Sequence, residues 1–236
     1  MDTYKIVEAN GLKWAVRESS RIGQCTQDML GPNDRENYNF EALEKYSGKD
    51  KTFLDIGAHV GGFAINASKL FGDVYAFEPQ PFNYEGLSEN IKINGLANVV
   101  AINKGVGDIV EDKEISMRGG GSKIYSGNIP RLPGVEYAKI SITTIDSMNF
   151  KLPVSVMKID TEGYEEQVIR GAIKTISKFR PVLIVETHEK TYHGEPMVKD
   201  QIQKLKDLLT NELDYTCHVA FKTQFGDEHL ICISNK

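Results

Sequence analysis

The sequence predicts an α/β fold in which a doubly wound, mainly parallel sheet is covered by helices on both faces. Two observations carry this prediction. Short apolar runs typical of buried strands alternate with longer helical segments from residue 52 onward. A cluster of glycines follows the first of these runs, where a strand must turn sharply into a helix. With 236 residues, the chain is long enough for one such domain and an accessory segment.

The N-terminal segment predicts a β-hairpin followed by a short helix. Asn10-Gly11 separates two strand-like stretches, and this dipeptide favours a tight turn between antiparallel strands. A short helix is expected near residues 39–46. We therefore expect residues 1–50 to form an N-terminal extension and residues 51–236 to form the main domain.

Strands and helices alternate through the main domain. The strands of the parallel sheet are expected at 53–56, 74–77, 99–102, 154–159 and 181–185. Helices are expected after Gly62 to about Phe71, and at about 81–94, 164–178 and 199–209. Gly72 is expected to stop the first of these helices, because glycine reaches left-handed backbone angles freely.

Two further β regions interrupt or complete this alternation. An inserted region at about 110–148 contains two strand-like runs joined by a glycine-rich connection. Near the C-terminus, runs at 215–221 and 230–234 are close enough to pair as an antiparallel hairpin. That hairpin would add one antiparallel strand to the sheet.

Composition and charge limit the classes of partner that this chain is expected to bind. The chain is 40% hydrophobic and 26% charged, and it lacks an apolar run long enough to span a membrane, so no membrane partner is expected. A net charge of −5 argues against a broad surface that binds nucleic acid, so a nucleic-acid partner is not expected. The first residues show no signal-peptide pattern, so a cytoplasmic location is expected. Cys217 and Cys232 are expected to be buried free thiols, and the spacing of the cysteines supports neither a zinc site nor a disulfide framework.

A nucleotide-type site is expected where the first two parallel strands end. Glycines 57 and 61 would let the backbone approach a ligand, and Glu78 would accept hydrogen bonds from a ribose. A dinucleotide site carries glycine where this chain has His59, and the Asp55 carboxylate is a poor neighbour for pyrophosphate. The same carboxylate suits a ligand with an ammonium and a sulfonium group. The pattern therefore favours S-adenosylmethionine over NAD.

The chain resembles the FkbM family of methyltransferases. The resemblance rests on four segments, FLDIGAHVG (53–61), AFEP (76–79), MKIDTEGYE (157–165) and RPVLIVE (180–186). It implies a class I, Rossmann-like methyltransferase that uses S-adenosylmethionine, leaves S-adenosylhomocysteine, and methylates hydroxyl groups of small molecules or sugars. The residues expected at the cofactor are Asp55, Gly57, Ala58, His59, Gly61, Glu78, Pro79, Asp108 and Asp160. His59 stands where the family more often has asparagine.

The catalytic groups are expected at the ends of the fourth and fifth parallel strands, because the fourth strand should neighbour the first. They are Asp160, Glu162, Glu186 and His188. A hydroxyl acceptor needs a group that removes its proton, and we expect His188 to do so because imidazole titrates near neutrality. Carboxylates at these positions could hold a divalent metal, but their spacing does not demand one, so no metal is predicted.

Other functions remain open from the sequence. The enzyme could instead methylate an RNA base or a protein amine. A basic patch with exposed aromatic rings would favour RNA. It could bind S-adenosylmethionine without catalysis, or it could be a nicotinamide-dependent oxidoreductase. The glycine-rich middle loop, with Lys123 nearby, could cover a small-molecule or glycan acceptor.

Overall fold

A computed structural model confirms the predicted α/β fold. The residues that it describes are 4–17, 37–118, 121–125, 131, 133–188, 200–223 and 226–236. The strands are β1 (Tyr4–Ala9), β2 (Leu12–Arg17), β3 (Gly48–Ile56), β4 (Phe71–Phe77), β5 (Val99–Ile102), β6 (Gly105–Val106), β7 (Glu111–Ser116), β8 (Ile124–Tyr125), β9 (Tyr137–Thr143), β10 (Val154–Ile159), β11 (Val182–Thr187), β12 (Tyr215–Lys222) and β13 (Glu228–Ser234). The helices are α1 (Asn37–Tyr46), α2 (Gly62–Ala67), α3 (Pro81–Ile93), α4 (Glu165–Arg170), α5 (Ile173–Phe179) and α6 (Gln201–Asp207), with a 3₁₀ turn at Ile145–Ser147 and a π-helical turn at Leu208–Glu212.

The central sheet of the described chain has seven strands in the order β12-β13-β11-β10-β3-β4-β5. All pairs from β11 to β5 are parallel, whereas β13 runs antiparallel to both of its neighbours. The prediction that β10 neighbours β3 is therefore confirmed, as is the single antiparallel strand near the C-terminus. The strand order reverses between β3 and β10, and this is where α/β sheets bind their ligands.

Helices cover both faces of this sheet, as predicted. On one face, α4, α5 and α6 pack Val168, Ile176 and Leu205 onto β10 and β11. On the other, α1, α2 and α3 contribute Leu43, Ala64 and Leu87 to a second apolar cluster. Because both faces are buried, the central strands are apolar along most of their length. None of the helices in the described ranges is long and apolar enough to cross a membrane.

A second, smaller sheet lies in the inserted region, with the order β6-β9-β7-β8 among the described residues. Strand β7 pairs antiparallel with both β8 and β9. Ile115, Ile140 and Ile142 form its small apolar core. The division of the chain into an extension and a main domain with this insertion stays a prediction.

The N-terminal hairpin forms as expected, with Asn10 and Gly11 at positive φ (54° and 68°) in the turn. It is fixed to α3 by the side chain of Asn90, whose Oδ1 accepts a hydrogen bond from the Ala15 amide at 2.7 Å. Trp14 is buried in the apolar cluster beneath the hairpin. The hairpin is thus packed against the helix that follows the second parallel strand.

The prediction of free thiols at Cys217 and Cys232 is wrong, because the two residues form a disulfide. They lie directly opposite each other in the antiparallel pairing of β12 with β13, with their Cα atoms 4.0 Å apart. The bond depends on the register of two strands, which spacing along the chain does not reveal. The third cysteine, Cys25, lies outside the described residues.

Two helix predictions are also corrected. Gly72 does not stop a helix: α2 ends at Ala67, and Gly72 lies in β4, where a Cβ atom would lie 2.1 Å from the carbonyl oxygen of Lys49 on β3. The helix expected at 164–178 is broken into α4 and α5 at Gly171, where the carbonyl of Gly107 fills the space of a side chain. In both cases another segment needs the space that glycine leaves.

The central strand sets the stability of the fold. Leu54 lies in β3 and is fully buried, so Leu54→Ala should lower the free energy of unfolding by about 2–5 kcal/mol through lost burial and a residual cavity. In the control Val110→Ala the altered side chain is 72% exposed, so the free energy of unfolding should change by about 0.5 kcal/mol or less. Urea titration measures both, and equal costs would contradict this account of the core.

Candidate functional site

A cavity opens at the carboxyl ends of β3, β4 and β10, at the point where the strand order reverses. Its lining includes seven of the predicted cofactor residues, namely Asp55, Gly57, Ala58, His59, Glu78, Pro79 and Asp160. Glu162, Lys158, Phe63 and Asn83 also line it, and the inserted region adds Ile115, Ser122 and Ile124. The sequence-predicted residues are therefore mostly brought together.

The turn after β3 has to contain glycine at position 57. Gly57 has a φ of 84°, and a Cβ atom there would lie 1.8 Å from the carbonyl oxygen of Asp160. The amides of Gly57 and Ala58 both donate to the carbonyl of Phe77, at 3.0 Å each. The turn is thus held between the ends of β4 and β10, which places the β3 carboxyl end at the mouth of the cavity.

Asp55 and Gly61 shape this turn from either side. The Asp55 side chain is buried, and its Oδ2 accepts a hydrogen bond from the Ala64 amide in the first turn of α2 at 2.9 Å. Gly61, with a φ of 97°, precedes α2, and a Cβ atom there would collide with Leu87 on α3. Gly61 therefore serves the packing of α2 against α3 and does not line the cavity.

Glu78 is a buried carboxylate at the end of β4. Its Oε1 accepts hydrogen bonds from the Gln80 amide at 3.0 Å and the Asn83 side chain at 3.3 Å, and its Oε2 accepts one from the His59 amide at 2.8 Å. A carboxylate has about four acceptor positions, so capacity for a further donor remains. Burial, assisted by the charge of Asp55, raises the pKa of Glu78 to about 7.

His59 is held in the left-handed region at a φ of 51°. Both ring nitrogens are buried, and neither has a hydrogen-bond partner among the residues that the structure describes. Burial lowers the pKa of His59 to about 4, so the ring is neutral at pH 7 and offers one donor and one acceptor. Two unsatisfied polar atoms beside a cavity fit a site that is completed by a polar ligand.

Asp160 and Lys158 form an ion pair at the end of β10. The Nζ atom of Lys158 donates to Oδ2 of Asp160 at 3.1 Å and lies 4.7 Å from the centre of the Phe63 ring. Burial opposes the charge of Asp160, but Lys158 and His188 hold its pKa below the usual value. Asp160 therefore stays an anion at the edge of the cavity, held in one orientation by the lysine.

Glu162 lies next to Asp160 with a backbone φ of 54°. Its carboxylate has no hydrogen bond within the described ranges, since Lys123 Nζ and His188 Nε2 are 3.9 and 3.8 Å from its Oε2. Burial raises the pKa of Glu162 to about 7. A non-glycine residue held in the left-handed region is typical of a functional position.

Glu186 and His188 come together with Asp160 but do not line the cavity. The Nδ1 atom of His188 is hydrogen-bonded to Glu165 at 3.3 Å, and its Nε2 atom lies 3.8 Å from Asp160 and 3.9 Å from Glu186. Burial alone would lower the pKa of His188, but the bond to Glu165 and the surrounding carboxylates raise it to about 10. A ring protonated at neutral pH is a poor proton acceptor, which argues against the base role expected of His188.

Asp108, like Gly61, is a predicted cofactor residue that does not line the cavity. It is exposed, follows β6 and packs its backbone against Gly171 at the junction of α4 and α5. It is not among the residues that line the cavity. A role for Asp108 at the adenine stays a prediction.

Comparison with known proteins identifies the family of this chain. Residues 55–217, more than half of the chain, match the methyltransferase FkbM domain. The chain belongs to the FkbM family. The predicted family of methyltransferases is thereby confirmed.

Individual relatives are distant or partial. The uncharacterized protein MJ1452 of Methanocaldococcus jannaschii is 39% identical over 61 residues, covering 26% of this chain and 24% of that protein. The tRNA(Phe) (4-demethylwyosine(37)-C(7)) aminocarboxypropyltransferase of the same organism is 23% identical over 57% of each chain. The crystal structure of the methyltransferase FkbM from Methylobacillus flagellatus covers 78% of this chain and 44% of its own, with a TM-score of 0.54 and 19% identity. This FkbM chain thus spans from a quarter to just over half of these relatives.

The sequence did not single out several residues of the FkbM site. Lys158 could have been found, because a lysine two residues before Asp160 in a buried strand points to the same face as the aspartate. Glu165 lies at the start of α4, where it is buried and hydrogen-bonded to His188. His229, whose Nε2 lies 3.4 Å from Glu186, reaches the site through the register of β11 with β13, for which the sequence has no local signal.

Replacement of Gly57 tests the turn that builds the site. Gly57→Ala should lower the free energy of unfolding by about 3 kcal/mol or more. The left-handed backbone angle alone costs about 1–2 kcal/mol, and the new Cβ atom would also collide with the Asp160 carbonyl. Gly95→Ala is the matched control, since Gly95 has a φ of 61° and open space around it. Thermal unfolding with and without adenosylhomocysteine measures both changes. Equal destabilisation by the two variants would remove the steric argument.

Proposed function

We propose that this FkbM protein transfers the methyl group of S-adenosylmethionine to a hydroxyl group of a small molecule or glycan. The observation that carries the proposal is the Glu162 carboxylate, which lines the cavity beside Asp160 and has no hydrogen bond within the described residues. The sulfonium already activates the methyl group for transfer. The hydroxyl that receives it must lose its proton, so the protein has to supply a group that accepts this proton. Because Glu162 lines the cavity, it would take up this proton.

The cofactor fits the polar groups of the cavity. Glu78 would accept a hydrogen bond from a ribose hydroxyl, and the unsatisfied ring of His59 would bond a polar group of the ligand. Asp55 and Asp160 bring negative charge to the end where the ammonium and sulfonium of the methionine part would lie. When bound, S-adenosylmethionine supplies the activated methyl group, and the protein supplies alignment and a proton acceptor.

Glu162 is favoured over its neighbours as that proton acceptor. Asp160 is already bonded to Lys158, and Glu165 accepts hydrogen bonds from Thr161 and Gly163. The Glu162 carboxylate has no such partner among the described residues. The acceptor would then lie between Glu162 and the inserted region, whose Ser122 and Ile124 line the same cavity.

An RNA acceptor is the alternative. One relative of this chain is named for its action on tRNA(Phe), and it matches 57% of the chain at 23% identity. The net charge of −5 and the several carboxylates that line the cavity argue against RNA.

A cytoplasmic location remains a prediction, and the Cys217–Cys232 disulfide is a bond more typical of oxidising compartments.

The first experiment measures binding and transfer separately. Adenosylmethionine and adenosylhomocysteine, each at ~100 times its dissociation constant, should stabilise the protein by about 2.7 kcal/mol, whereas NAD should not. Transfer of a radiolabelled methyl group is then assayed with hydroxylated small molecules, glycans and tRNA. Transfer to tRNA alone would replace the proposed acceptor, and a melting shift with NAD alone would overturn the proposal.

Cofactor binding should depend on pH through Glu78. Its pKa is about 7 in the free protein, and the carboxylate form is the better hydrogen-bond acceptor for a ribose hydroxyl. Affinity for adenosylhomocysteine should therefore fall by up to about tenfold from pH 8 to pH 6, as the group becomes protonated. Calorimetry at both values measures this. Glu78→Gln should bind weakly at both, whereas Glu89→Gln, altered on the exposed surface of α3, should keep the wild-type profile.

Replacement of Glu162 tests the proton acceptor. Glu162→Gln should lower kcat by about 10²–10⁴-fold with the best hydroxyl acceptor found, because the amide cannot take the proton. Its affinity for adenosylhomocysteine should stay within twofold of the wild type. Glu166→Gln is the control, since Glu166 pairs with Arg170 on the outer side of α4. An unchanged kcat for Glu162→Gln would remove it from the mechanism.

A further inference from the structure

His188 is a buried titratable residue to which the proposed function gives no role. Its side chain is 9% exposed, and it lies beside the cavity without lining it. Its Nδ1 atom is hydrogen-bonded to Oε1 of Glu165 at 3.3 Å. Its Nε2 atom lies 3.8 Å from Asp160 Oδ1, 3.8 Å from Glu162 Oε2 and 3.9 Å from Glu186 Oε1. Carboxylates from β11, from α4 and from the loop between β10 and α4 thus meet at one imidazole.

The hydrogen bond from α4 determines which atom of the ring carries a proton. Glu165 is 3% exposed, and the oxygen that bonds the ring also accepts the Gly163 amide at 2.9 Å and the Thr161 amide at 3.2 Å. Burial opposes the charge of Glu165, but its bonds to His188 and Gly163 hold its pKa below the usual value. An ionised carboxylate only accepts hydrogen bonds, so Nδ1 of His188 has to be the donor in this contact.

The Nε2 atom of the same ring lies among oxygens that carry negative charge. A lone pair on Nε2 would be repelled by these oxygens, whereas an N–H group there is attracted by all of them. Burial alone would lower the pKa of His188, but the bond to Glu165 and the nearby carboxylates raise it to about 10. The position of the ring thus favours an imidazolium at neutral pH.

Other charged and titratable groups adjoin this cluster on the described elements. The ammonium group of Lys158 on β10 lies 3.1 Å from Asp160, and that of Lys123, next to β8, lies 3.9 Å from Glu162. His229 on β13 also adjoins the cluster, but burial lowers its pKa to about 4, so it is neutral at pH 7. Within the described chain, four carboxyl groups are therefore opposed by two ammonium groups and one imidazolium. Without the imidazolium, two negative charges would be uncompensated, and a carboxyl group would take up a proton.

Glu162 is a carboxyl group whose ionisation depends strongly on His188. Asp160 accepts a hydrogen bond from Lys158, and Glu165 accepts backbone amides. Glu162 has no hydrogen bond within the described residues. Burial raises the pKa of Glu162 to about 7, and His188 has the largest influence in the opposite direction. At neutral pH a modest change in the surrounding charge therefore decides whether Glu162 is ionised.

We propose that His188 is a positioning residue whose charge keeps Glu162 ionised on the lining of the cavity. Its Nε2 atom and the Lys123 ammonium lie 3.8 and 3.9 Å from the same oxygen, Oε2 of Glu162. Two cations at these distances stabilise the carboxylate without a hydrogen bond, so the oxygen stays able to take up a proton. The catalytic consequence rests on the proposed function, because only the carboxylate form of Glu162 can accept the proton of a hydroxyl. The dependence of one charge on the other does not.

Nuclear magnetic resonance titrations of the full chain test this dependence without an acceptor. In protein labelled with ¹⁵N-histidine, the ring signal that is absent from His188→Asn should stay doubly protonated to above pH 8. In protein labelled with ¹³C-glutamate, the carboxyl signal that is absent from Glu162→Gln should titrate with a pKa of about 7. In His188→Asn the proton affinity of Glu162 should rise about tenfold or more, since a nearby positive charge is lost. Glu166→Gln, altered on the outer side of α4, should leave both titrations unchanged.

The pH dependence of methyl transfer separates positioning from a merely structural role. With the best hydroxyl acceptor, His188→Asn should lower kcat about fivefold or more at pH 7 and about twofold or less at pH 9. The loss is smaller at pH 9 because the higher pH ionises Glu162 again. An equal loss at both pH values would assign His188 to the fold alone and overturn the inference.

The outcomes separate this inference from the proposed function. A Glu162 titration that is unchanged in His188→Asn, or a His188 ring that is neutral at pH 7, overturns the inference and leaves the proposed function standing. Linked titrations in a protein that binds no adenosyl ligand would support the inference and overturn the proposed function. Should His188→Asn fail to fold, Glu162→Gln decides. Because the interaction is reciprocal, the proton affinity of His188 should fall about tenfold in that variant, and an unchanged value overturns the inference.

Discussion

The close approach of two backbones at Gly57 is the constraint on which the site depends. Strands β3 and β10 lie side by side where the strand order reverses, and the turn after β3 has to pass over the end of β10. It does so only because position 57 lacks a Cβ atom, which would otherwise meet the Asp160 carbonyl at 1.8 Å. The packing of two strand ends therefore brings the Asp55 and Asp160 carboxylates into one cavity.

The site concentrates features that cost stability elsewhere in a protein. His59 and Glu162 are both non-glycine residues at positive φ, which costs about 1–2 kcal/mol each. Glu78 and Lys158 are almost fully buried charged residues. The apolar clusters on both faces of the sheet compensate for these costs, and polar groups are concentrated at the carboxyl ends of its strands.

The inserted sheet and the C-terminal hairpin complete the site from two directions. The inserted sheet lines the cavity with Ile115 and Ile124, and it packs on α4 and α5 where Gly171 leaves room for the Gly107 carbonyl. The hairpin places His229 against Glu186 through the register of β13 with β11. Elements distant in the chain thus determine the surroundings of the strand ends.

The sequence by itself determined the α/β class, the neighbouring positions of β3 and β10, and most of the predicted residues that line the cavity. These follow from local patterns, since Asp55, Gly57 and Glu78 each lie within a few residues of a strand end. The tertiary structure alone decided which side chains face one another across strands. The Cys217–Cys232 disulfide, the contact of His229 with Glu186, and the bond of Glu165 to His188 depend on register and helix docking. Those arrangements arise from packing between segments tens of residues apart, and no periodicity along a single chain encodes them.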